Sequence, residues 1–173
     1  MNIKISKIVL ASLLIFSSIT QISCQEKKDK MEVEELKKET VKKYPEALSD
    51  KEWKAKLTAT QYYIMVQQGT EPPYENAFYK NHKKGTYVSA ATGKPLFSSK
   101  DKFDSGTGWP SFSKPINDDA VIWVRDNSYG MVRDEVIEKA TGLHLGHVFN
   151  DGPNPTGLRY CINSGALKFI EDK

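Results

Sequence analysis

The stretch GLRYCINSGAL, Gly157 to Leu167, decides how the chain is read. Its centre, RYCIN, is a β-favouring run set between turn formers. Side chains alternate faces along a strand. Arg159, Cys161 and Asn163 therefore share one face, while Tyr160 and Ile162 turn the other way, into a core. A cysteine between Arg and Asn departs from the apolar surroundings that structural cysteines prefer. A neighbouring guanidinium favours the thiolate, which is the nucleophile. The alternative is a half-buried strand residue with chance polar neighbours.

Outward from this strand, short β-favouring runs alternate with Gly, Pro, Asn and Asp: TYV, PLF, VIWVRD, HVF, RYCIN and ALKFI. The spacing predicts antiparallel sheets in a small, mainly β domain. Helices belong to its N-terminal edge. Ser49-Asp50-Lys51-Glu52 reads as a capping box, with Trp53 and Leu57 on one helical face. Thr58 caps a further helix, TATQYYIMVQQG, expected to run to Gly69. One further short helix is expected, around either Lys100–Asp101 or Asp134–Lys139.

The 173 residues suffice for one domain with accessories. Formal net charge is +3, from 25 basic and 22 acidic residues. Lys4 and Lys7 belong to the leader, and setting them aside leaves 23 against 22. No basic stripe remains for nucleic acid. The leader, residues 1–23, has a positive start and an apolar run, IVLASLLIFSSI, too short to span a membrane comfortably. It reads as a signal peptide. It ends Gln21-Ile22-Ser23-Cys24, where a small residue before cysteine resembles a lipobox, although Gln21 replaces the usual Leu. Cys24 is thus the expected lipidation site, with plain secretory cleavage or an uncleaved anchor as the alternatives, and the protein is expected in a bacterial cell envelope, in the periplasm or at the outer membrane, held by a lipid anchor. Residues 24–48 are dominated by Lys and Glu and read as a charged tether; the folded domain is expected over 49–173. Lipidation would consume the Cys24 thiol, so no disulfide to Cys161 is expected.

Two more stretches carry candidate chemistry. HLGHVFND places His144 and His147 three apart, on opposite faces of a regular strand unless a bulge at Gly146 re-aims one. A metal site built from His144, His147 and Cys161 is one reading, and hydrogen-bonded scaffold histidines another. In SGTGWPSF, glycines flank Thr107 before Trp109-Pro110. That is a bent loop holding an indole rigidly, either as an aromatic wall for a small apolar group or as part of the core.

GWPSF, HLGHVF and RYCIN, in this order and spacing, resemble the methionine sulfoxide reductase B family, and the likeness runs from about Leu57 to Ile170. The resemblance implies a fold of two antiparallel sheets with short peripheral N-terminal helices. It implies reduction of the R epimer of methionine sulfoxide in proteins, hence repair of oxidised envelope proteins. Carried over, Cys161 is the nucleophile left as a sulfenic acid. His147 and His144 match the catalytic histidines that serve the sulfoxide oxygen, and Asn163 matches a site asparagine that binds through its amide. Arg159 and Asp151 match supporting positions. Trp109 packs on the substrate methyl group, and Phe149 completes that wall.

Two departures stand out. Many relatives bind structural zinc through two CxxC pairs, whose positions here hold Ser89, Thr92, Glu138 and Thr141, so no metal is expected. The resolving cysteine of other relatives is replaced by Thr107. The enzyme therefore reads as a one-cysteine type with no bound cofactor, reset by an external thiol reductant, thioredoxin-like or small. Its expected partners are oxidised proteins, that reductant and the membrane; a monomer is expected. Two other classes stay open on the residues alone: a non-catalytic binding module using the Trp109 pocket, and a Cys/His hydrolase pairing Cys161 with His147.

Overall fold

The computed structural model describes Lys28 and residues 30–35, 43–127 and 130–173. The chain divides into two units, Met1–Lys43 and Tyr44–Lys173. In the first, residues 30–35 are helical and exposed. The expected signal peptide and Cys24 lie outside the described residues. The second unit begins at Tyr44, whose ring packs on Gly142, and the Glu46 N–H donates to the Ala140 carbonyl at 2.9 Å.

Two short helices open that unit, α1 (Asp50–Lys56) and α2 (Ala59–Met65). Both carry complete capping boxes, Ser49 with Glu52 and Thr58 with Gln61. Trp53 and Leu57 are buried, as their spacing requires. Helix α2 stops before the expected Gly69, because Gln68 takes a left-handed φ of 56°.

Among the described residues nine strands follow: β1 (Gly85–Ser89), β2 (Pro95–Ser98), β3 (Lys102–Phe103), β4 (Ser111–Phe112), β5 (Val121–Asp126), β6 (Arg133–Glu138), β7 (His144–Phe149), β8 (Arg159–Ile162) and β9 (Leu167–Glu171). They form two antiparallel sheets, β2-β1-β9 and β3-β4-β8-β7-β6-β5. The expected mainly β fold with two sheets and N-terminal helices is what the chain adopts. Ser99–Asp101 makes a single 3-10 turn, close to the short helix expected at Lys100. The alternative position for that helix, Asp134–Lys139, is instead β6. Val136 and Ile137 are β-branched, and the run is paired on both sides, by β5 and β7.

The core lies where the sheets face each other. Tyr87 and Phe97 of the small sheet meet Phe112 and Tyr160 of the large one, with Phe97 and Phe112 stacked at 4.5 Å. Tyr160 and Ile162 are both buried there, so the other face of β8 carries Arg159 and Cys161.

A polar knot closes the end of β6. Glu138, 1% exposed, accepts hydrogen bonds from Ser89 (3.0 Å), Thr92 (2.5 Å) and Thr141 (2.9 Å). The three hydroxyls in turn accept nearby backbone N–H groups. A buried carboxylate is tolerated only when its lone pairs are filled in this way.

Candidate active site

Register brings the site together. Glu135 of β6 pairs with His147 of β7, His147 with Cys161 of β8, and Cys161 with Ser111 of β4. Four adjacent strands thus set one row of side chains across one face. The histidines join it through a bulge. Val136 pairs with Gly146 and Ile137 with His144, which leaves Leu145 as an extra residue in β7. The inserted residue restores the phase, so Leu145 and Val148 enter the core while His144 and His147 share the opposite face, ring centroids 5.4 Å apart. Gly146 makes the bulge possible. A Cβ there would lie 2.0 Å from the Cys161 carbonyl oxygen.

Each histidine is held by a carboxylate. His144, 3% exposed, donates from Nδ1 to Glu135 at 2.7 Å. His147 donates from Nε2 to Asp126 at 3.0 Å, and the same Asp126 oxygen takes Arg133 at 2.8 Å. A carboxylate only accepts, so it fixes the tautomer. Burial lowers the pKa of His147, Asp126 pulls the other way, and the charges of Arg133 and His144 lower it further. His147 is consequently a neutral imidazole at neutral pH that releases readily any proton it gains.

Cys161 is partly exposed. Burial raises its thiol pKa; Arg159 and a Thr107 hydrogen bond oppose that rise without overcoming it, and Asp151 adds to it. Arg159 thus acts in the direction its sequence neighbourhood implies, but desolvation outweighs it. Its guanidinium is also shared. Nε and Nη2 bond both oxygens of Asp151 at 2.8 and 2.9 Å, and the group lies 4.4 Å above the Phe149 ring. Thr107 Oγ1 stands 4.0 Å from Cys161 Sγ. Ser105 links Thr107 (2.9 Å) to Ser111 (2.7 Å), so a chain of hydroxyls runs beside the thiol.

The aromatic wall is built from the opposite side. Gly108, at φ +92°, permits a bend in which its carbonyl accepts from Tyr74 N–H and Asn76 Nδ2. The indole N–H of Trp109 then donates to the Glu71 carbonyl at 3.1 Å. The Glu71 N–H donates to Asn163 Oδ1 at 3.2 Å, and Asn163 Nδ2 donates to the Leu145 carbonyl at 3.1 Å. The Asn163 amide, expected at the substrate, is therefore largely engaged with the main chain, with one N–H left over. The Glu71 carboxylate accepts the N–H groups of Ser164 and Gly165, which locks it to the turn after β8. One Glu thus orients both Trp109 and Asn163.

A pocket of about 200 Å³ results, lined by Trp109, His147, Phe149, Cys161 and Asn163, with Arg133 at its side. His144, Arg159 and Asp151 do not line it and act through the residues that do. Four participants escaped the sequence reading: Glu71, Asp126, Arg133 and Glu135. Strand alternation in RDEVIE would have put Arg133 and Glu135 on one face had β6 been read as a strand. Asp126, closing VIWVRD, and Glu71, in GTEPPY, carried no signal.

Comparison with known proteins decides the family. The family model described as the SelR domain matches residues 57–171. A peptide methionine sulfoxide reductase MsrB of Leptospira interrogans is 58% identical over 124 residues, which cover 72% of this chain and 95% of that protein. The chain belongs to the methionine sulfoxide reductase B family. A second MsrB, from Methanosarcina mazei, is 53% identical over 125 residues, 72% of this chain and 89% of that one. A Vibrio cholerae protein named MsrA/MsrB is 52% identical over 122 residues, which cover 70% of this chain but 32% of its own length.

The structural zinc carried by many family members does not fit this chain. The four aligned positions do converge, but as three hydroxyls whose protons are already spent on Glu138. Hydroxyls are poor zinc ligands, and the one carboxylate is saturated. Among the described residues no three His, Cys, Asp or Glu side chains group to hold a metal ion. His144, His147 and Cys161 do not form such a group.

Proposed function

We propose that this chain reduces the R epimer of methionine sulfoxide in proteins, with Cys161 as nucleophile. The observation that carries the reading is the convergence of Cys161, His147 and Trp109 on one pocket sized for a single side chain. A sulfoxide joins an apolar methyl to a strongly polar S–O bond. The indole face takes the methyl, and His147 and the spare Asn163 N–H meet the oxygen.

Cys161 Sγ attacks the sulfoxide sulfur as a thiolate. The oxygen gains a proton, by way of His147, and passes to Sγ; methionine leaves and Cys161 becomes a sulfenic acid. The thiol is thereby oxidised by two electrons as the sulfoxide is reduced by two. Two equivalents of an external thiol then restore Cys161, the first forming a mixed disulfide and water, the second displacing it. Thr107, the hydroxyl nearest Sγ, offers no sulfur for an internal disulfide. The N-terminal pattern of Lys4, Lys7, the apolar run and Cys24 supports export to the cell envelope and lipid anchoring at Cys24, with oxidised envelope proteins as clients. Purified enzyme without reductant, offered R- and S-sulfoxide peptides separately, tests the chemistry. Methionine should form from the R epimer only and be lost in Cys161→Ser. Retention of activity in that variant would overturn the mechanism.

A further inference from the structure

Cys161 stands between two polar flanks. The large sheet runs β4-β8-β7, so the strand carrying Cys161 has His147 on one side and Ser111 on the other. The proposed reduction of the sulfoxide uses the His147 flank. The hydroxyls of Thr107, Ser105 and Ser111 on the β4 flank have no part in it, and none of the three residues lines the pocket.

These hydroxyls are held in place from behind. Tyr74 donates from its hydroxyl to the Gly106 carbonyl at 2.6 Å and from its N–H to the Gly108 carbonyl at 2.8 Å, so the chain is pinned on either side of Thr107. Tyr74 does this at φ +64°, a left-handed conformation that non-glycine residues hold at some cost and that concentrates at functional sites. Ser111, 0% exposed, has two acceptors in reach: Ser105 Oγ at 2.7 Å and the Trp109 carbonyl at 3.4 Å. Donating to Ser105, it turns the row of protons toward Cys161, and Thr107 donates. Donating to the Trp109 carbonyl, it lets the row run the other way, and Thr107 accepts. Rotation of hydroxyls alone reverses the row.

Thr107 Oγ1 lies 4.0 Å from Sγ. That is long for a hydrogen bond, but it fits one interposed oxygen. A covalent S–O bond and a hydroxyl hydrogen bond of about 2.7 Å, meeting at an obtuse angle, span the gap. The species that carries an oxygen on Sγ is the sulfenic acid. An oxygen turned toward Thr107 leaves the other side of Sγ facing the pocket that methionine has vacated. Displacement at sulfur proceeds in line, so a thiolate entering that pocket meets Sγ opposite the departing oxygen. An oxygen left on the His147 flank sits in the thiolate's path.

We infer that Thr107 is a catalytic residue of the second half-reaction, which holds the sulfenic oxygen and delivers a proton to it as it leaves. The thiolate sulfur bonds Sγ and the S–O bond breaks. Its electron pair stays on the oxygen, which takes up the proton given up by the incoming thiol, by way of Thr107, and departs as water. The sulfenic acid is reduced and the thiol oxidised, to the mixed disulfide. The inference rests on the proposed one-cysteine mechanism and assigns its resetting step to a hydroxyl of this chain.

Full-length enzyme tests this with Thr107→Val and Thr107→Ala, which lack the hydroxyl, and Thr107→Ser, which restores it. Cys161 is converted to its sulfenic acid by one equivalent of R-sulfoxide peptide or, separately, by one equivalent of hydrogen peroxide. 2-Mercaptoethanol is then added, and the sulfenic acid remaining on Cys161 is trapped over time with a dimedone probe and followed by peptide mass spectrometry. Its decay should be about tenfold slower in the Val and Ala variants, and within about threefold of native in Thr107→Ser, while single-turnover methionine release in the Val variant changes by about threefold at most. Decay at the native rate in either hydroxyl-free variant, or methionine release slowed as much as the decay, overturns the assignment. If the R-sulfoxide peptide produces no sulfenic acid, the proposed first step falls instead, and the peroxide arm still decides the role of Thr107.

Discussion

Glu138→Ala tests whether a carboxylate and three hydroxyls close the fold where relatives use zinc. The substitution removes the acceptor of Ser89, Thr92 and Thr141 together. Ser89 and Thr141 are 0% and 4% exposed, so water cannot replace it there. Their oxygens keep the backbone N–H groups they accept, and only the hydroxyl protons are orphaned. An unsatisfied buried polar group costs roughly 1–3 kcal/mol, so two give about 3 kcal/mol even near the low end. A unit of about 130 residues unfolds with an entropy of about 0.27 kcal/mol/K, which converts this loss to a fall in Tm of about 11 °C. Glu138→Gln keeps one carbonyl acceptor, and the hydroxyls can turn to accept from its amide; its loss should stay under about 1.5 kcal/mol. Differential scanning calorimetry of the three proteins measures both. A Glu138→Ala protein within about 1 kcal/mol of native would refute the reasoning, as would Ala and Gln variants of equal stability.

Three further outcomes follow from the site. Arg159→Met removes the positive charge that favours the Cys161 thiolate, so the thiol pKa rises further and the pH profile of iodoacetamide alkylation moves to higher pH, with a rate near pH 7.5 lower by about tenfold. Glu71→Gln leaves one of the N–H groups of Ser164 and Gly165 unpaired and loosens Trp109 and Asn163; steady-state kinetics should show KM raised about threefold or more with a smaller change in kcat, together with altered tryptophan emission. Gly146→Ala drives a methyl group into the Cys161 carbonyl and shifts His147 against Cys161, for a loss of about 100-fold in kcat/KM in protein that remains folded by circular dichroism.

Much of the site was legible because its chemistry is carried by short strands. Alternation in RYCIN assigns Cys161 to one face and Tyr160 and Ile162 to the core, and the structure keeps that division. The histidines needed more. Their spacing of three conflicts with a regular strand, and only the extra residue at Leu145 reconciles it; a glycine in the middle was the available hint. β6 carries a weak strand pattern, because charged Arg133, Asp134, Glu135 and Glu138 surround just two apolar residues. Burial of Glu135 and Glu138 depends on partners on other elements, His144 of β7 and Ser89 of β1 among them, and local pattern cannot show those. Glu71 is the extreme case. Its role comes from bonds to Asn163, Ser164 and Gly165, more than ninety residues away. The thiol pKa was likewise out of reach, since desolvation, its largest cause, exists only once the chain is packed.

In the proposed mechanism Cys161 acts alone, with His147 and Trp109 as its partners in place of a second thiol. One single-turnover measurement tests it most directly: full-length enzyme, no reductant, one equivalent of R-sulfoxide peptide, then a sulfenic-acid-selective probe and intact mass spectrometry. One methionine released per enzyme, one probe adduct located on Cys161, and no disulfide are the expected result. A Cys24–Cys161 disulfide, or methionine release with Cys161 still a thiol, would contradict it.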